Sequence, residues 1–356
     1  MASIAIIGAA GYLGIKLVDV LANHGHGITA VTRQNGEIMF GDKPVKLLYY
    51  DDLSKHAEKY DVIVNLAFAT STTKKLITQE NLEILEIIKK LARKDSKILH
   101  TSTLAVFGFA LDQEIKPEKV KNRADYPYIV SKLRMENDLL ENFKDQQLSI
   151  IRLGNIWGAA SVGWTVKLAD NLLYEKPVVA DGFGFSNITD VHNTADFIRF
   201  LAEEKATVNT FYHLAELGNI SWEFWTNELA NALGAKPVLT GKPIGYNKAI
   251  KEDIATLKHF LSPSPFLYGA LETRFLSFYL RNFIASLPRA VKKPFNALPE
   301  INHVGNDFVF LTIMSCKNHF PNITHPNWKP PVNKAESLKR VLNWMQETGY
   351  FFHVKN

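Results

Sequence analysis

The segment Ile4-Ala-Ile-Ile-Gly-Ala-Ala-Gly-Tyr-Leu-Gly14 constrains this chain more than any other. It sets Gly8, Gly11 and Gly14 three residues apart, directly after a β-rich run (Ser3 to Ile7) and directly before a helical one, Tyr12 to Asn23, where Leu13, Leu17, Val20 and Leu21 recur in helical phase. Such a junction commits the N-terminus to a strand-turn-helix unit. The rest of the first half repeats the alternation: strand-like runs at Ile28 to Thr32, Val45 to Tyr50, Val62 to Ala67, Lys97 to Thr101 and Leu148 to Arg152, with helical runs at Lys74 to Arg93 and Tyr128 to Asn142. Several of these strands are almost wholly apolar, as strands covered on both faces must be. The expected fold class is α/β, a doubly wound parallel sheet.

Past Gly158 the alternation weakens and Gly and Pro recur, so a smaller, irregular C-terminal unit is expected. The expected division is residues 1–158 as the dinucleotide platform and 159–356 as mainly a substrate-binding unit with a C-terminal helix. Strands between 180 and 215 should return to the sheet, Thr210 to Ala215 among them. The length of 356 residues agrees with two units of ordinary size.

Composition narrows the function classes. With 46% apolar and 22% charged residues, the chain is an ordinary globular one. No apolar run is long enough to span a bilayer, and the mean hydropathy is −0.08. One cysteine, Cys316, excludes an internal disulfide and fits a reducing compartment. The start, MASIAIIG, has no signal-peptide pattern, so the expected location is cytoplasmic. The eleven histidines show no HxxxH or HExxH spacing, and no metal is expected. A net charge of +5 invites a polyanionic partner. However, Gly241 to Glu300 alone holds nine Lys/Arg against four Asp/Glu, which equals the surplus of the whole chain. The basic residues form no nucleic-acid-binding motif, and no nucleic acid is expected. Within this stretch Leu271 to Leu287 can form a helix, either packed on the second unit or touching an anionic or lipid surface through Arg274 and Arg281.

A glycine-rich turn before a helix lets a phosphate reach free backbone N–H groups, although the same turn also serves as a plain tight connection. Where an NAD site usually carries a carboxylate for the ribose, the second strand ends in Arg33. An arginine there pairs with a 2′-phosphate, which favours NADP while leaving NAD possible. Asp52 and Leu53, after the third strand, are candidates for the adenine edge, or simply a surface turn. In Tyr128-Ile-Val-Ser-Lys132 the four-residue spacing sets phenol and ammonium on one helical face. The ammonium lowers the phenol's pKa toward neutrality, so the pair can move a proton; in isolation the same spacing describes an amphipathic helix with a half-exposed tyrosine.

Taken in order, GAAGYLG, VIVNLAFAT, HTSTLAVFG, YIVSK and IRLGNIWG resemble the extended short-chain dehydrogenase/reductases of the NAD-dependent epimerase/dehydratase family. The likeness is good from Ala2 to Lys236 and weak beyond. It implies a Rossmann-type fold with the cofactor along Gly8, Gly11, Tyr12, Leu13, Gly14, Leu66, Ala67 and Thr101, beside Asn65. It implies Tyr128 as the acid/base, Lys132 on the nicotinamide ribose, Thr103 on the reacting oxygen, with Ser102 as its neighbouring alternative, and Asn155 near the substrate. The expected activity is NAD(P)-dependent hydride transfer at one carbinol or ketone carbon of a nucleotide-linked sugar or similar phosphorylated substrate. The alternatives are a nucleotide-sugar 4-epimerase with bound NAD, or a reductase of a lipid-like substrate with weak peripheral membrane contact. Leu104 and Ala105 stand where the family's dehydratases and decarboxylases carry acids, which disfavours those reactions. In ITDVHNTADF, Asp190 and Asn193 replace the family's usual histidine and acid. The family's pairing through helices such as Lys74 to Arg93 and Tyr128 to Asn142 makes a homodimer the expected assembly.

Overall fold

The computed structural model describes residues 1–33, 40, 45–69, 74–107, 127–180, 182–204, 210–240, 310–311 and 313–350. The basic segment 241–300 and the proposed helix 271–287 lie outside them. Seven strands form one parallel sheet: β1 Ser3–Ile7, β2 Gly27–Thr32, β3 Val45–Tyr49, β4 Tyr60–Asn65, β5 Ala92–Thr103, β6 Gln147–Leu153 and β10 Thr210–Leu214, in the order β10-β6-β5-β4-β1-β2-β3. The strand order reverses at β1, which lies between β2 and β4. The crevice beyond the carboxyl ends of β1 and β4 is where such a sheet binds ligands.

Alternation along β1 explains the two layers. Ile4 and Ile6 join a core with α1 (Tyr12–Asn23) and α5 (Val191–Glu203), whereas Ala5 and Ile7 join one with α2 (Lys74–Leu91) and α3 (Pro127–Asn142). The helix Tyr12–Asn23 matches its sequence pattern end to end. The fourth strand does not: it spans Tyr60–Asn65 and stops before Ala67, because the Asn65 side chain accepts the Ala67 N–H at 3.1 Å and turns the chain out of the sheet. The fifth strand is longer than its apolar run, since Lys97 to Thr103 pairs along the whole of β6.

The remaining elements build a third core. Short parallel pairs join β7 (Asn155–Trp157) to β9 (Ile188–Asp190) and β8 (Pro177–Ala180) to β11 (Val238–Thr240). Around them α4 (Lys167–Leu173), α6 (Trp222–Leu233) and α7 (Lys334–Glu347) bury Trp157, Trp222, Trp225, Val341 and Met345. Ser221 caps α6 at its N-terminus and Gly234 closes it with a left-handed φ of 63°. Thus of the returning strands β10 rejoins the main sheet, whereas β9 pairs with β7.

Candidate active site

One cleft of about 740 Å³ opens at the carboxyl ends of β1, β4 and β5. Its floor is the glycine turn. Gly8 has φ +84°, and a Cβ there would meet the Ala67 nitrogen at 3.0 Å; a Cβ at Gly14 would meet the Gly8 and Ala9 carbonyl oxygens at 2.5 Å. Glycine is therefore required by the packing of β4 and α1 against the turn. At Gly11 the built Cβ meets only the Gly8 oxygen, at 3.3 Å. No side chain caps α1 and its first turn holds no acid, which leaves its leading N–H groups available.

The cleft wall is carried by α3 and β5. Tyr128 and Lys132 both line it, one helical turn apart, with Thr101, Ser102 and Thr103 from β5 alongside. The Lys132 ammonium donates to the Thr101 carbonyl at 2.8 Å. It also lies 5.0 Å from the centre of the Phe68 ring, whose edge or face meets Tyr128 in a T-shaped pair at 5.4 Å. Burial pushes the Lys132 ammonium down to about 7, opposed by the carboxylate of Glu136. The Thr103 hydroxyl accepts from the Ala105 N–H at 3.2 Å, which leaves its own proton to donate. Thr101 donates to the Asn65 carbonyl at 3.2 Å and Asn65 pairs with His100 at 3.0 Å, so neighbouring strands fix the lysine's acceptor. The Ser102 hydroxyl is buried without a hydrogen-bond partner.

The far half of the cleft is made by β7 and the C-terminal segment. Asn155 lines it, its amide donating to the Ser186 carbonyl at 2.6 Å. Trp164, Lys167, Phe310, Cys316 and Phe320 complete the wall. Asp190 and Asn193 serve the framework there. Asp190 accepts from the His192 N–H at 2.7 Å and from the Ser337 hydroxyl at 2.5 Å; Asn193 exchanges two hydrogen bonds with the Val332 backbone at 2.8 Å.

Of the residues singled out in the sequence, Gly8, Gly11, Tyr12, Leu13, Gly14, Leu66, Thr101, Thr103, Tyr128, Lys132 and Asn155 meet in this cleft. Five do not line it, the first being Asn65, which is fully buried and paired with His100. Ala67 is half-buried just beneath the glycine turn. Arg33 is exposed at the end of β2, its guanidinium 5.4 Å from the centre of the Tyr50 ring. Asp52 is exposed on a short 3-10 turn, and the Leu53 side chain on the same turn is buried in the core beneath β3. Sequence reasoning passed over Phe68, Trp164, Lys167 and Phe310. Phe68 sits within the quoted VIVNLAFAT, whereas Phe310 arrives from a distant segment with no local signal. Among the described residues no helix is long and apolar enough to cross a membrane, and no three His, Cys, Asp or Glu side chains are grouped to hold a metal.

The family described as the RmlD substrate binding domain matches residues 1–253. Solved structures share the fold at low identity. A UDP-glucose 4-epimerase from Thermotoga maritima, solved with UDP-glucose, is 16% identical with a TM-score of 0.61, covering 97% of this chain and 99% of that one. The Bordetella bronchiseptica enzyme WbmG, in complex with NAD and UDP, is 13% identical at 0.61, covering 98% and 96%. A UDP-N-acetylglucosamine 4-epimerase from Bacillus cereus is 16% identical at 0.55, covering 68% and 88%. No curated protein matches the chain.

Proposed function

Because the chain belongs to the family described as the RmlD substrate binding domain, of the extended short-chain dehydrogenase/reductase kind, we propose that it is an NAD(P)-dependent oxidoreductase acting on a nucleotide-linked sugar or similar phosphorylated substrate. The observation that carries this reading is the meeting of Tyr128, Lys132 and Thr103 in the cleft floored by the glycine turn. The turn fits a dinucleotide: glycine at 8, 11 and 14, where a Cβ would crowd the turn's own carbonyls or Ala67, and the uncapped N–H groups of α1 suit a pyrophosphate. A nicotinamide held there would supply or accept the hydride. Tyr128 exchanges the proton of the reacting oxygen, Thr103 holds that oxygen by a hydrogen bond, and Lys132 binds the ribose and keeps the phenol acidic. Leu104 and Ala105 cannot transfer protons, which argues for redox at one carbon rather than dehydration or decarboxylation. Residues 1–158 act as the dinucleotide platform and the remainder mainly as the substrate unit.

Arg33, in place of a ribose-binding carboxylate at the end of β2, supports NADP. NADPH should bind about tenfold or more tightly than NADH, and Arg33→Ala should remove that difference; equal or tighter NADH binding by the parent chain would overturn the assignment. Tyr128→Phe should lower turnover by about two to four orders of magnitude with cofactor binding retained. A second reading, a 4-epimerase with tightly held NAD, is favoured by the named activities of the Thermotoga and Bacillus structures. Protein that purifies with nicotinamide absorbance would select it. A cytoplasmic location and a homodimer formed through the outer faces of α2 and α3 complete the proposal.

A further inference from the structure

The helix that carries Tyr128 and Lys132 carries a third charged residue in the same phase. Glu136 follows Lys132 by four residues, which sets their Cβ atoms about 5–6 Å apart on one face. Glu136 is almost fully buried and bound bidentately by Arg152 of β6, at 3.1 Å from Nε and 2.7 Å from Nη2. The side chains are only 3% and 8% exposed. The guanidinium lies between two aromatic rings, 4.5 Å from the centre of Phe211 and 5.1 Å from that of Phe107. Placing such a pair in a core gains little stability, because the loss of hydration offsets the attraction. A pair of apolar side chains of similar volume would hold α3 to β6 about as well. The position of this pair, one turn behind the cleft lysine, suggests a use other than adhesion.

We propose that the Glu136–Arg152 pair sets the charge of Lys132, with Glu136 acting on Tyr128 as a positioning residue through that lysine. The order along α3 and into the sheet is phenol, ammonium, carboxylate, guanidinium. Glu136 supplies the countercharge that lets an ammonium persist in a buried place, and the two hydrogen bonds from Arg152 hold the carboxylate in line. The other groups facing Lys132 are Tyr128 from its own helix, the neutral Phe68 ring, and His100 of β5, whose imidazole burial and Lys132 together push well below the usual range. On the far side of Arg152, His213 of β10 packs its ring on Phe107 and is held down to about 4 by burial and by the guanidinium, so at neutral pH it adds no charge. Among these groups Glu136 is the carboxylate whose attraction opposes the burial of Lys132.

The mechanistic half of this inference rests on the oxidoreductase reading, and the experiment separates the two. Lysine labelled with ¹³C at Cε reports the titration of Lys132 by NMR in the full-length chain without cofactor. Glu136→Gln should lower the Lys132 midpoint by about one unit or more, Glu136→Asp should largely preserve it, and Glu136→Gln with Arg152→Met should lower it by less than Glu136→Gln alone. The double variant leaves no buried guanidinium without its carboxylate, so it carries the test if the single variant fails to fold. A Lys132 midpoint that stays within about 0.3 units of the parent's in the double variant, or in a folded Glu136→Gln chain, overturns the proposal. In turnover, the pH limb assigned to Lys132 should move in the same order, whereas a purely adhesive role would lower activity evenly across pH. A shifted midpoint in a chain without oxidoreductase activity would sustain the electrostatic inference and remove the functional one.

Discussion

Gly14 and Gly25 show how differently two glycines can be required. A Cβ at Gly14 would stand 2.5 Å from two backbone carbonyl oxygens, whereas one at Gly25, at φ +77°, meets nothing within 4 Å. Gly25→Ala should therefore cost only its left-handed backbone, about 1 kcal/mol. Gly14→Ala must move β1 or α1 and should cost about 2–4 kcal/mol and weaken dinucleotide binding, as urea unfolding and a cofactor titration would register. Glu216 gives a prediction in pH. Burial raises its carboxyl to about 7; one oxygen accepts from Asn193 and from the Asp190 N–H, and the other is buried without a partner. The folded chain thus holds a proton that the unfolded chain releases in the ordinary carboxylate range. The stabilisation from this group is complete below that range and is lost as pH rises through about 7. Glu216→Gln does not ionise, so thermal unfolding at pH 5 and pH 8 should show the variant gaining on the parent at the higher pH, by on the order of 1 kcal/mol. Tyr128 and Lys132 were legible in sequence because their relation is a helical spacing. Glu216 was not, since its partners come from the end of β9 and from α5, distant in sequence, and no local pattern announces them.

At the scale of elements, legibility followed apolar periodicity. Helix α1 and strands β1 and β2 are delimited by their own side chains, whereas the end of β4 is decided by one asparagine and the length of β5 by its partner strand. The short pairs β7–β9 and β8–β11 have too few residues to carry a period, and they escaped the pattern altogether. Helix α5 depends on a cap with two tasks. Asp190 accepts from the His192 N–H and from the Ser337 hydroxyl of α7, joining two helix starts. Removing both bonds with Asp190→Ala should cost about 2–3 kcal/mol, while Ser337→Ala, which spares the cap, should cost about 1 kcal/mol. Chemical denaturation midpoints of the two variants would compare them; equal losses would show that the link to α7 alone matters.

Across the whole molecule, the expected dimer would bury the outer surface of α2 and α3, which are locked together by the reciprocal Asn81 and Ser131 bonds at 2.9 and 3.1 Å. Leu82 of α2 is 44% exposed, so Leu82→Glu should halve the mass seen in sedimentation without unfolding the chain; an unchanged mass would place the interface elsewhere. The cleft itself is closed by a long-range return. Cys316 lies against Gly184, where a Cβ would stand 2.0 Å from its carbonyl oxygen. Phe320 and Asn318 bond Asn187, and Ile323 pairs with His213. During synthesis the sheet can therefore be complete once β10 has left the ribosome, while the wall bearing Phe310 and Phe320 is still unmade. A nascent chain in that interval would already present the glycine turn and Tyr128, in a trough open to water on one side. On the proposed function, nucleotide capture would thus precede substrate selectivity in the life of each molecule, and a chain stalled there would hold a cofactor without the enclosure that chooses what it reacts with.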